Sequence, residues 1–484
     1  MEMTKKYNQY IGGQWVAPAN GQYADVLNPS DDSIVGQVAN GDERDAVLAL
    51  ETAEKAQKVW AKFTARKRAE IMRNFTKEIQ ANREELATVL CKEMGKLFKV
   101  AQFEVDVCCS FIEYACDWAR QIEGDIIPSD NENEQIWIQK VPRGVVVAIT
   151  AWNFPMALAG RKIGPALIAG NAIVVKPTTE TPISTLMLGE LAKKAGVPDG
   201  VINIITGPGR VMGTALCSNH ITKMVTMTGS TPAGQSIVKA AAENLAHVQL
   251  ELGGKAPFIA FEDADIDAAV ASALHSRFDN CGQVCTCNER MYIHESIYDA
   301  FMEKFMPKVK ALKVGDPFDP TSDMGAKVNA SELKHMEEMV ATAVKEGATL
   351  AYGGKRPDGA EFEKGNWFMP TILTDVTQNM TCVHEEAFGP ILPVLKFKTE
   401  EEVIAYANDC EFGLAAMVFT NDMKRIMRLN AELEFGEIYV NRGHGEMHQG
   451  FHNGYKMSGT GGEDGKYGFE QYLEKKTFYM NFNN

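Results

Sequence analysis

Short apolar segments alternate with stretches of helical length over most of this chain. One series begins after Gly144 and comprises Val145–Thr150, Ala172–Lys176, Val201–Thr206 and Lys223–Thr228. A second comprises Ala256–Phe261, Arg290–Ile293, Thr371–Leu373 and Ala415–Thr420. Such alternation predicts parallel sheets covered by helices, with ligands bound at the carboxyl ends of the strands. The fold class is therefore predicted as α/β, with two parallel-sheet domains.

The segments outside these two series are predicted to be simpler. With 484 residues the chain is too long for a single ordinary core. Apolar residues at intervals of three and four predict helices from Asp42 to Lys96, and a further helix over Val100–Arg120 with Phe103 on its apolar face. Residues 124–142 alternate between apolar and polar, which is typical of a β-hairpin.

Composition narrows the classes of function. The chain carries 49 Lys and Arg against 64 Asp and Glu, a net charge of −15, which argues against nucleic acid or an anionic membrane as partner. Ten scattered cysteines are typical of a reduced cytosolic protein. No signal peptide is visible at the start, and no apolar run approaches the ~18 residues of a membrane span. A cytoplasmic location is expected.

Three cysteines lie close together in the sequence, at Cys281, Cys285 and Cys287. A thiolate is a strong nucleophile, and Glu251 upstream could serve as a base for it or for a later water. Two alternatives compete with this interpretation, namely inert buried thiols and one half of a metal site. The metal alternative is disfavoured because no second Cys/His cluster has ligand spacing, so no metal is predicted.

A set of motifs in a fixed order gives a more specific hypothesis. They are Trp152-Asn-Phe-Pro155, Val175-Lys-Pro177, Thr228-Gly-Ser-Thr231, Glu251-Leu-Gly-Gly-Lys255, Phe278-x-Asn-x-Gly-Gln-x-Cys285 and Glu385-Glu-Ala-Phe-Gly-Pro390. Together they resemble the NAD(P)-dependent aldehyde dehydrogenases over essentially the whole chain. The stretch from Gly450-Phe451-His452 to Gly465-Lys466 further resembles the bacterial lactaldehyde/glycolaldehyde branch.

The resemblance implies a domain plan. Residues 1–123 and 144–251 would form a Rossmann-like cofactor-binding domain, and residues 252–447 a catalytic domain. Residues 124–143 and 466–484 would form a small β arm that joins subunits into a homotetramer, or a dimer. Residues 448–465 would return to the cofactor domain.

The resemblance also implies the chemistry. Cys285 would add to a small-molecule aldehyde, and an amide N–H of Asn153 would stabilise the resulting alkoxide. Glu251 would activate water to hydrolyse the thioester. Relatives that acylate coenzyme A lack a glutamate here, so a free carboxylic acid is the expected product.

The cofactor is expected to be NAD or NADP. The turn from Gly229 to Gly234 follows a strand and opens a helix, which suits a pyrophosphate. The residues that the resemblance places beside the cofactor are Trp152, Lys176, Thr179, Gly229, Ser230, Glu386 and Phe388. NAD-preferring relatives commonly carry a glutamate where this chain has Thr179. Since a carboxylate would repel a 2′-phosphate and a hydroxyl can donate to it, NADP should be used well, unless Glu180 takes over that position.

The residues predicted to contact the substrate are Arg161, Thr286, Glu446 and His452. Arg161 is expected at the mouth of the aldehyde pocket, where it needs a polar partner. These polar residues favour small α-hydroxyaldehydes such as lactaldehyde and glycolaldehyde. Succinate-semialdehyde enzymes, the alternative, carry a second arginine where this chain has Asp279.

Two other classes stay open at this stage. A catalytically inactive structural member of the family would have lost the nucleophile, the base or the oxyanion donor, and all three are present. A cysteine hydrolase needs a histidine partner for Cys285, and none of the nine histidines carries a recognisable signature for that role.

Overall fold

The computed structural model describes residues 5–482. Its α-helices are α1 (Glu43–Trp60), α2 (Ala65–Ala81), α3 (Arg83–Met94), α4 (Phe98–Asp117), α5 (Pro155–Ala169), α6 (Ile183–Lys194), α7 (Gly209–Cys217), α8 (Thr231–Ala241), α9 (Ile266–Phe278), α10 (Tyr298–Ala311), α11 (Ala330–Glu346), α12 (Thr381–His384), α13 (Glu400–Asn408), α14 (Met423–Glu432) and α15 (Gly465–Glu470). Short 3₁₀ segments cover Trp118–Arg120, Asp279–Gly282 and Ala360–Phe362.

Strands occupy much of the remaining chain. They are β1 (Lys6–Tyr7), β2 (Gln9–Ile11), β3 (Gln14–Val16), β4 (Tyr23–Leu27), β5 (Ile34–Ala39), β6 (Asp125–Pro128), β7 (Glu134–Pro142), β8 (Val145–Ile149), β9 (Ala172–Lys176), β10 (Ile202–Ile204), β11 (Thr222–Thr228), β12 (His247–Glu251), β13 (Ala256–Ala260), β14 (Asn288–His294), β15 (Thr349–Tyr352), β16 (Thr371–Thr374), β17 (Ile391–Phe397), β18 (Phe412–Gly413), β19 (Ala415–Phe419), β20 (Glu437–Val440), β21 (Tyr455–Lys456), β22 (Gly459–Thr460) and β23 (Leu473–Asn481).

Two large sheets carry the architecture. The first has the order β22-β12-β11-β8-β9-β10-β2-β3, and its five central strands run parallel. The second has the order β15-β16-β17-β14-β13-β19-β20, parallel except for β15. Every apolar run predicted as a strand is one, and helices connect them as the alternation predicted. The predicted α/β class with two parallel sheets is confirmed.

The helices before the first sheet depart from the prediction in one place. The helical pattern continues through Asn82, but the chain breaks there into α2 and α3, and the Asn82 amide donates to the Glu78 carbonyl at 2.8 Å. On α4, Phe103 is 62 % exposed, so its placement on the buried face was wrong. The buried face instead includes Glu104, which forms an ion pair with Lys96.

The predicted hairpin is present and extends into a third sheet. Strands β6 and β7 pair antiparallel, and β23 adds to the other edge of β7 along nine residue pairs from Leu473↔Pro142 to Asn481↔Glu134. The role of this sheet as an oligomerisation arm, like the division into cofactor and catalytic domains, stays a prediction. Within residues 5–482, no helix combines the length and the apolar character needed to cross a membrane.

Candidate active site

A cleft of about 690 Å³ lies where the carboxyl ends of the first sheet face the loop before β14. Residues from both sheets line it, as expected for ligand sites in open α/β sheets. The lining comprises Ala151, Trp152, Asn153, Thr228, Gly229, Ser230, Glu251, Leu252, Gly253, Cys285, Glu332, His335, Glu386, Ala387 and Phe388. The structure thus brings together the three residues predicted for the chemistry and five of the seven predicted for the cofactor.

The loop that carries the cysteines has an unusual backbone. Asn280 and Cys281 lie in the left-handed region, with φ of 47° and 59°, which costs energy for residues other than glycine. Gly282 follows with φ of 69°, and a Cβ there would come within 2.5 Å of the Gly389 backbone. The Asn280 amide donates to the Asn153 carbonyl at 3.2 Å. This conformation holds the nucleophile loop against the Asn153 segment.

The three cysteines differ in accessibility. Cys281 and Cys287 are 1 % and 0 % exposed, whereas Cys285 is partly exposed and lines the cleft. The Cys287 thiol donates to the Val284 carbonyl at 2.8 Å. Only Cys285 among the three can reach a ligand in the cleft, which supports its assignment as the nucleophile.

Glu251 reaches the cleft because it ends β12. Its backbone pairs with Thr228 on one side and Gly459 on the other, and its side chain is 2 % exposed. Both carboxylate oxygens are buried, and neither has a hydrogen-bond partner within residues 5–482. The following Gly254 is required because a Cβ there would lie 2.6 Å from the Cys285 carbonyl. A buried carboxylate with free oxygens beside the thiol suits a general base.

His452, predicted to contact the substrate, also lies beside Cys285, although no Cys/His signature in the sequence indicated this pairing. The ligand-capable atoms of Cys285, Glu251 and His452 all lie within 4.8 Å of one another. His452 is 1 % exposed, its Nε2 lies 3.4 Å from Glu251 Oε1, and its Nδ1 lies 3.0 Å from Glu437 Oε2. His452 and Cys285 are 167 positions apart in the sequence, so no local motif could have revealed the contact.

Two residues outside the predicted site, Lys96 and Glu104, position the segment that contains Asn153. Lys96 Nζ donates to the Asn153 carbonyl at 2.6 Å and is paired with the buried Glu104. Glu104 Oε1 accepts from the backbone N–H of Met156 at 2.8 Å, so it caps the start of α5. The Asn153 amide donates to the Gln283 carbonyl at 3.1 Å and has a second N–H for a ligand.

A second buried carboxylate, that of Glu289, positions the loop that contains Ala387 and Phe388. Glu289 Oε2 and Oε1 accept from the backbone N–H groups of Ala387 and Phe388 at 2.8 and 2.9 Å. Despite burial, Lys255 and Arg277 beside it lower the pKa of Glu289 to about 2. Phe388 has φ of 45° and packs edge-on against the Trp152 ring at 5.2 Å. The Glu289 ion cluster therefore fixes an aromatic wall of the cleft.

The turn after β11 fits a dinucleotide. Ser230 is the N-cap of α8, and its side chain makes no capping hydrogen bond, so N–H groups of the first helical turn are available to a pyrophosphate. Lys176 is 3 % exposed, donates only to the adjacent Pro177 carbonyl at 3.0 Å, and has its pKa lowered by burial to about 8. A buried ammonium at the end of a strand suits a ribose hydroxyl or phosphate. These residues fit NAD or NADP.

Thr179 is exposed on the loop after β9, whereas Glu180 is partly buried and its carboxyl bonds to Asn329. The possibility that Glu180 replaces the missing ribose-binding glutamate is thereby weakened.

Replacing Thr179 by glutamate should shift preference from NADP towards NAD. A carboxylate beside Lys176 would repel a 2′-phosphate and neutralise the lysine that attracts it, at a cost of about 1–2 kcal/mol, or roughly tenfold in kcat/KM for NADP. The measurement is kcat/KM with both nicotinamides for wild type and T179E, with T179Q as the uncharged control. A wild-type efficiency with NAD more than about a hundredfold above that with NADP would refute the role of Thr179.

Arg161 is more deeply buried than its predicted position at the mouth of the aldehyde pocket implies. It is 5 % exposed, and its guanidinium bonds to Glu446 Oε1 at 3.1 Å and to Asp464 Oδ1 at 3.1 Å, with Glu463 Oε2 at 3.4 Å. The expected polar partner thus exists in the form of three carboxylates. In spite of burial, Arg161 lowers the pKa of Glu446 to about 2. Thr286 is buried directly after the nucleophile.

The fold and the cleft fit a dehydrogenase in which a cysteine lies beside a candidate dinucleotide site, and the chain belongs to the aldehyde dehydrogenase family, whose model matches residues 15–478. It is an NAD(P)-dependent aldehyde dehydrogenase. Over 478 residues, 99 % of this chain and 100 % of the relative, it is 66 % identical to the 3,6-anhydro-alpha-L-galactose dehydrogenase of Vibrio sp. strain EJY3.

Two further comparisons agree with this membership. The chain is 40 % identical to the lactaldehyde dehydrogenase of Escherichia coli strain K12 over 481 residues, 99 % of this chain and 100 % of the relative. A solved structure of 3,6-anhydro-L-galactose dehydrogenase in complex with NADP superposes with a TM-score of 0.98 at 66 % identity, covering 99 % of this chain and 100 % of that one. The family membership removes the alternative of an unrelated cysteine hydrolase.

Proposed function

We propose that this enzyme oxidises a 2-hydroxyaldehyde of sugar origin, 3,6-anhydro-L-galactose, to its carboxylic acid with NADP or NAD. The observation that carries the proposal is the polar group around Cys285, in which His452 lies within 4.8 Å of the nucleophile and Glu446 is bonded to Arg161 nearby. An apolar aldehyde would offer no polar group to His452 Nε2 or to the Glu251 carboxylate, which are buried and make no hydrogen bond within residues 5–482. The 66 % identity to the Vibrio enzyme supports the particular sugar.

The substrates named for the Vibrio and Escherichia coli relatives described above share one chemical feature. Lactaldehyde and the open-chain form of 3,6-anhydrogalactose both carry a hydroxyl on the carbon next to the aldehyde. In the proposal, that hydroxyl lies between His452 and Glu446, where one group can donate to it and the other can accept from it. The aldehyde carbon is thereby held against Cys285 Sγ.

The residues then act in sequence. Cys285 Sγ adds to the aldehyde carbon, and the resulting alkoxide accepts hydrogen bonds from the Asn153 side-chain amide and from the backbone N–H of Cys285. The bound nicotinamide supplies a hydride acceptor, which Trp152, Glu386 and Phe388 would hold over the cleft. Glu251 takes a proton from water, and the hydroxide displaces the Cys285 thiolate to release the acid.

Lactaldehyde and glycolaldehyde form the second candidate class, supported by the same hydroxyl-binding groups and by the Escherichia coli relative. Succinate semialdehyde is less well supported. Its distal carboxylate needs a free cation, but Arg161 is already surrounded by Glu446, Glu463 and Asp464. Asp279 would repel that carboxylate as well, although His444 lies 3.8 Å from its Oδ2.

Catalytic efficiency across a panel of aldehydes tests the substrate. We expect kcat/KM to fall in the order 3,6-anhydro-L-galactose, lactaldehyde or glycolaldehyde, succinate semialdehyde, hexanal, with about 2 kcal/mol or more separating the first from the last. The Glu446→Gln variant, which removes a charge and keeps the shape, should lower efficiency with the hydroxyaldehydes more than with hexanal. A tenfold preference for succinate semialdehyde would contradict the proposal.

A cytoplasmic location and a homotetrameric, or dimeric, assembly belong to the same proposal. The sheet of β6, β7 and β23 supports assembly because several of its large apolar side chains are exposed, namely Ile126, Ile127, Phe478 and Tyr479. Clusters of this kind commonly mark contact surfaces. Light scattering of the wild type and of a Phe478→Glu, Tyr479→Glu variant tests it, since the variant should dissociate into smaller species.

A further inference from the structure

His452 is fixed on both sides of its ring and through its backbone. Nδ1 faces Glu437 Oε2 at 3.0 Å, and Nε2 faces Glu251 Oε1 at 3.4 Å and the sulfur of Cys285. Its backbone N–H donates to the Glu463 carbonyl at 2.9 Å and its carbonyl accepts from the Glu463 N–H at 2.7 Å. With 1 % exposure, the ring has little freedom to turn away from the nucleophile.

The charges around the ring favour the imidazolium. Burial and the charge of Arg161 oppose it, but Glu437 and the nearby Cys285 and Glu251 outweigh them and raise the pKa of His452 well above its ordinary value. Glu446 and Glu463 also face this cluster, each held by Arg161. The carboxylates therefore outnumber the cations near the ring.

The surroundings of Cys285, by contrast, disfavour its charged form, the thiolate. Burial and the charge of Glu251 raise the pKa of its thiol well above the ordinary value, and the nearby His452 offsets part of that rise. Without the histidine, a thiolate would form beside the Glu251 carboxylate with no cation close to it. With it, an imidazolium lies within 4.8 Å of the sulfur, and a nearby histidine cation stabilises the thiolate in cysteine nucleophiles of other enzymes.

We propose that Glu437 and His452 form a relay with Cys285, in which Glu437 positions a protonated His452 and His452 stabilises the Cys285 thiolate before any aldehyde binds. This assignment makes His452 a catalytic residue and Glu437 a positioning residue. It rests on the proposed role of Cys285 as nucleophile and adds a function for His452 beyond contact with the substrate hydroxyl.

The proton balance involves the thiol, the histidine and solvent. The Cys285 S–H bond breaks, and its proton passes to water in the cleft and from there to bulk solvent. His452 keeps its own proton and donates Nε2–H to the sulfur until the S–C bond forms to the aldehyde carbon. Glu251 takes no part in this step and acts only on the water that hydrolyses the thioester.

Alkylation of the resting enzyme separates this role from substrate binding. The rate at which iodoacetamide modifies Cys285 is followed by peptide mass spectrometry across pH, with neither aldehyde nor cofactor present. Because only the thiolate reacts, His452→Gln should slow alkylation at neutral pH by about tenfold or more and move its pH profile upward. Glu437→Gln, which leaves His452 in place, should do so more weakly.

Two controls accompany the measurement. His448→Gln changes a nearby histidine that packs on the Phe111 ring at 4.5 Å, and it should leave the profile of Cys285 unchanged. Cys410, also partly exposed, serves as an internal reference in every sample. If neither His452→Gln nor Glu437→Gln alters the alkylation of Cys285, the relay is wrong. Loss of aldehyde oxidation in Cys285→Ala tests the role of the nucleophile separately.

Discussion

Replacing Cys285 by alanine is expected to abolish aldehyde oxidation, with a fall in kcat of at least about a thousandfold. Removal of a covalent nucleophile has effects of this size because the positioned groups that remain have nothing to attack with. The measurement is steady-state formation of reduced nicotinamide at saturating aldehyde and NADP. Binding of NADP should persist, because the residues predicted to contact the cofactor include Lys176, Gly229 and Ser230 and do not include Cys285.

The flanking cysteines provide the matched controls. Cys281→Ala and Cys287→Ala should keep most of the activity, since both thiols are buried away from the cleft. Each variant removes one sulfur and leaves Cys285 in place. A loss of activity in either one equal to that in Cys285→Ala, with the fold intact by circular dichroism, would overturn the assignment.

Glu251→Gln is expected to separate the two halves of the reaction. The variant keeps the shape of the side chain but cannot take a proton from water, so turnover should fall by about a hundredfold or more. Acylation does not require hydrolysis, and a burst of reduced nicotinamide close to one per active site should therefore remain. Stopped-flow absorbance measures both phases.

A matched control tests whether the loss of any buried carboxylate has the same effect as the loss of Glu251. Glu463→Gln is a suitable control because its carboxylate is buried and charged but faces Lys162 and Arg161. The Glu463→Gln variant should not combine a full burst of reduced nicotinamide with slow steady-state turnover. Unchanged turnover in Glu251→Gln would mean that another group activates water.

Much of the fold could be predicted because its signals are local. Strands such as Ala172–Lys176 are continuous apolar runs between helical segments, and β9 has those bounds. The alternation over residues 124–142 gave a hairpin in the same way. The predicted buried face of the helix over Val100–Arg120 was wrong at Phe103, which is exposed, while the charged Glu104 is buried. The pattern could not show this because Lys96, which forms an ion pair with Glu104, lies outside the helix.

The candidate site was predictable only where one short motif carries each residue. Cys285, Glu251 and Asn153 each lie in such a motif. His452 lies in Gly450-Phe451-His452 and was predicted to contact the substrate. Its relation to Cys285, like that of Glu437, could not be predicted because it depends on how the strand β20 and the segment after it pack against β12. Glu289 was missed for a similar reason, since it acts on the Phe388 loop through backbone contacts across 98 and 99 positions.

The most direct test of the central claim traps the covalent intermediate. Glu251→Gln is mixed with NADP and 3,6-anhydro-L-galactose, quenched in acid during the burst and digested for mass spectrometry. The predicted result is one adduct, on the peptide containing Cys285, heavier by the mass of the aldehyde less two hydrogen atoms, and absent when NADP is omitted. An adduct that maps to Cys281 or Cys287, or none while reduced nicotinamide accumulates, would contradict the account.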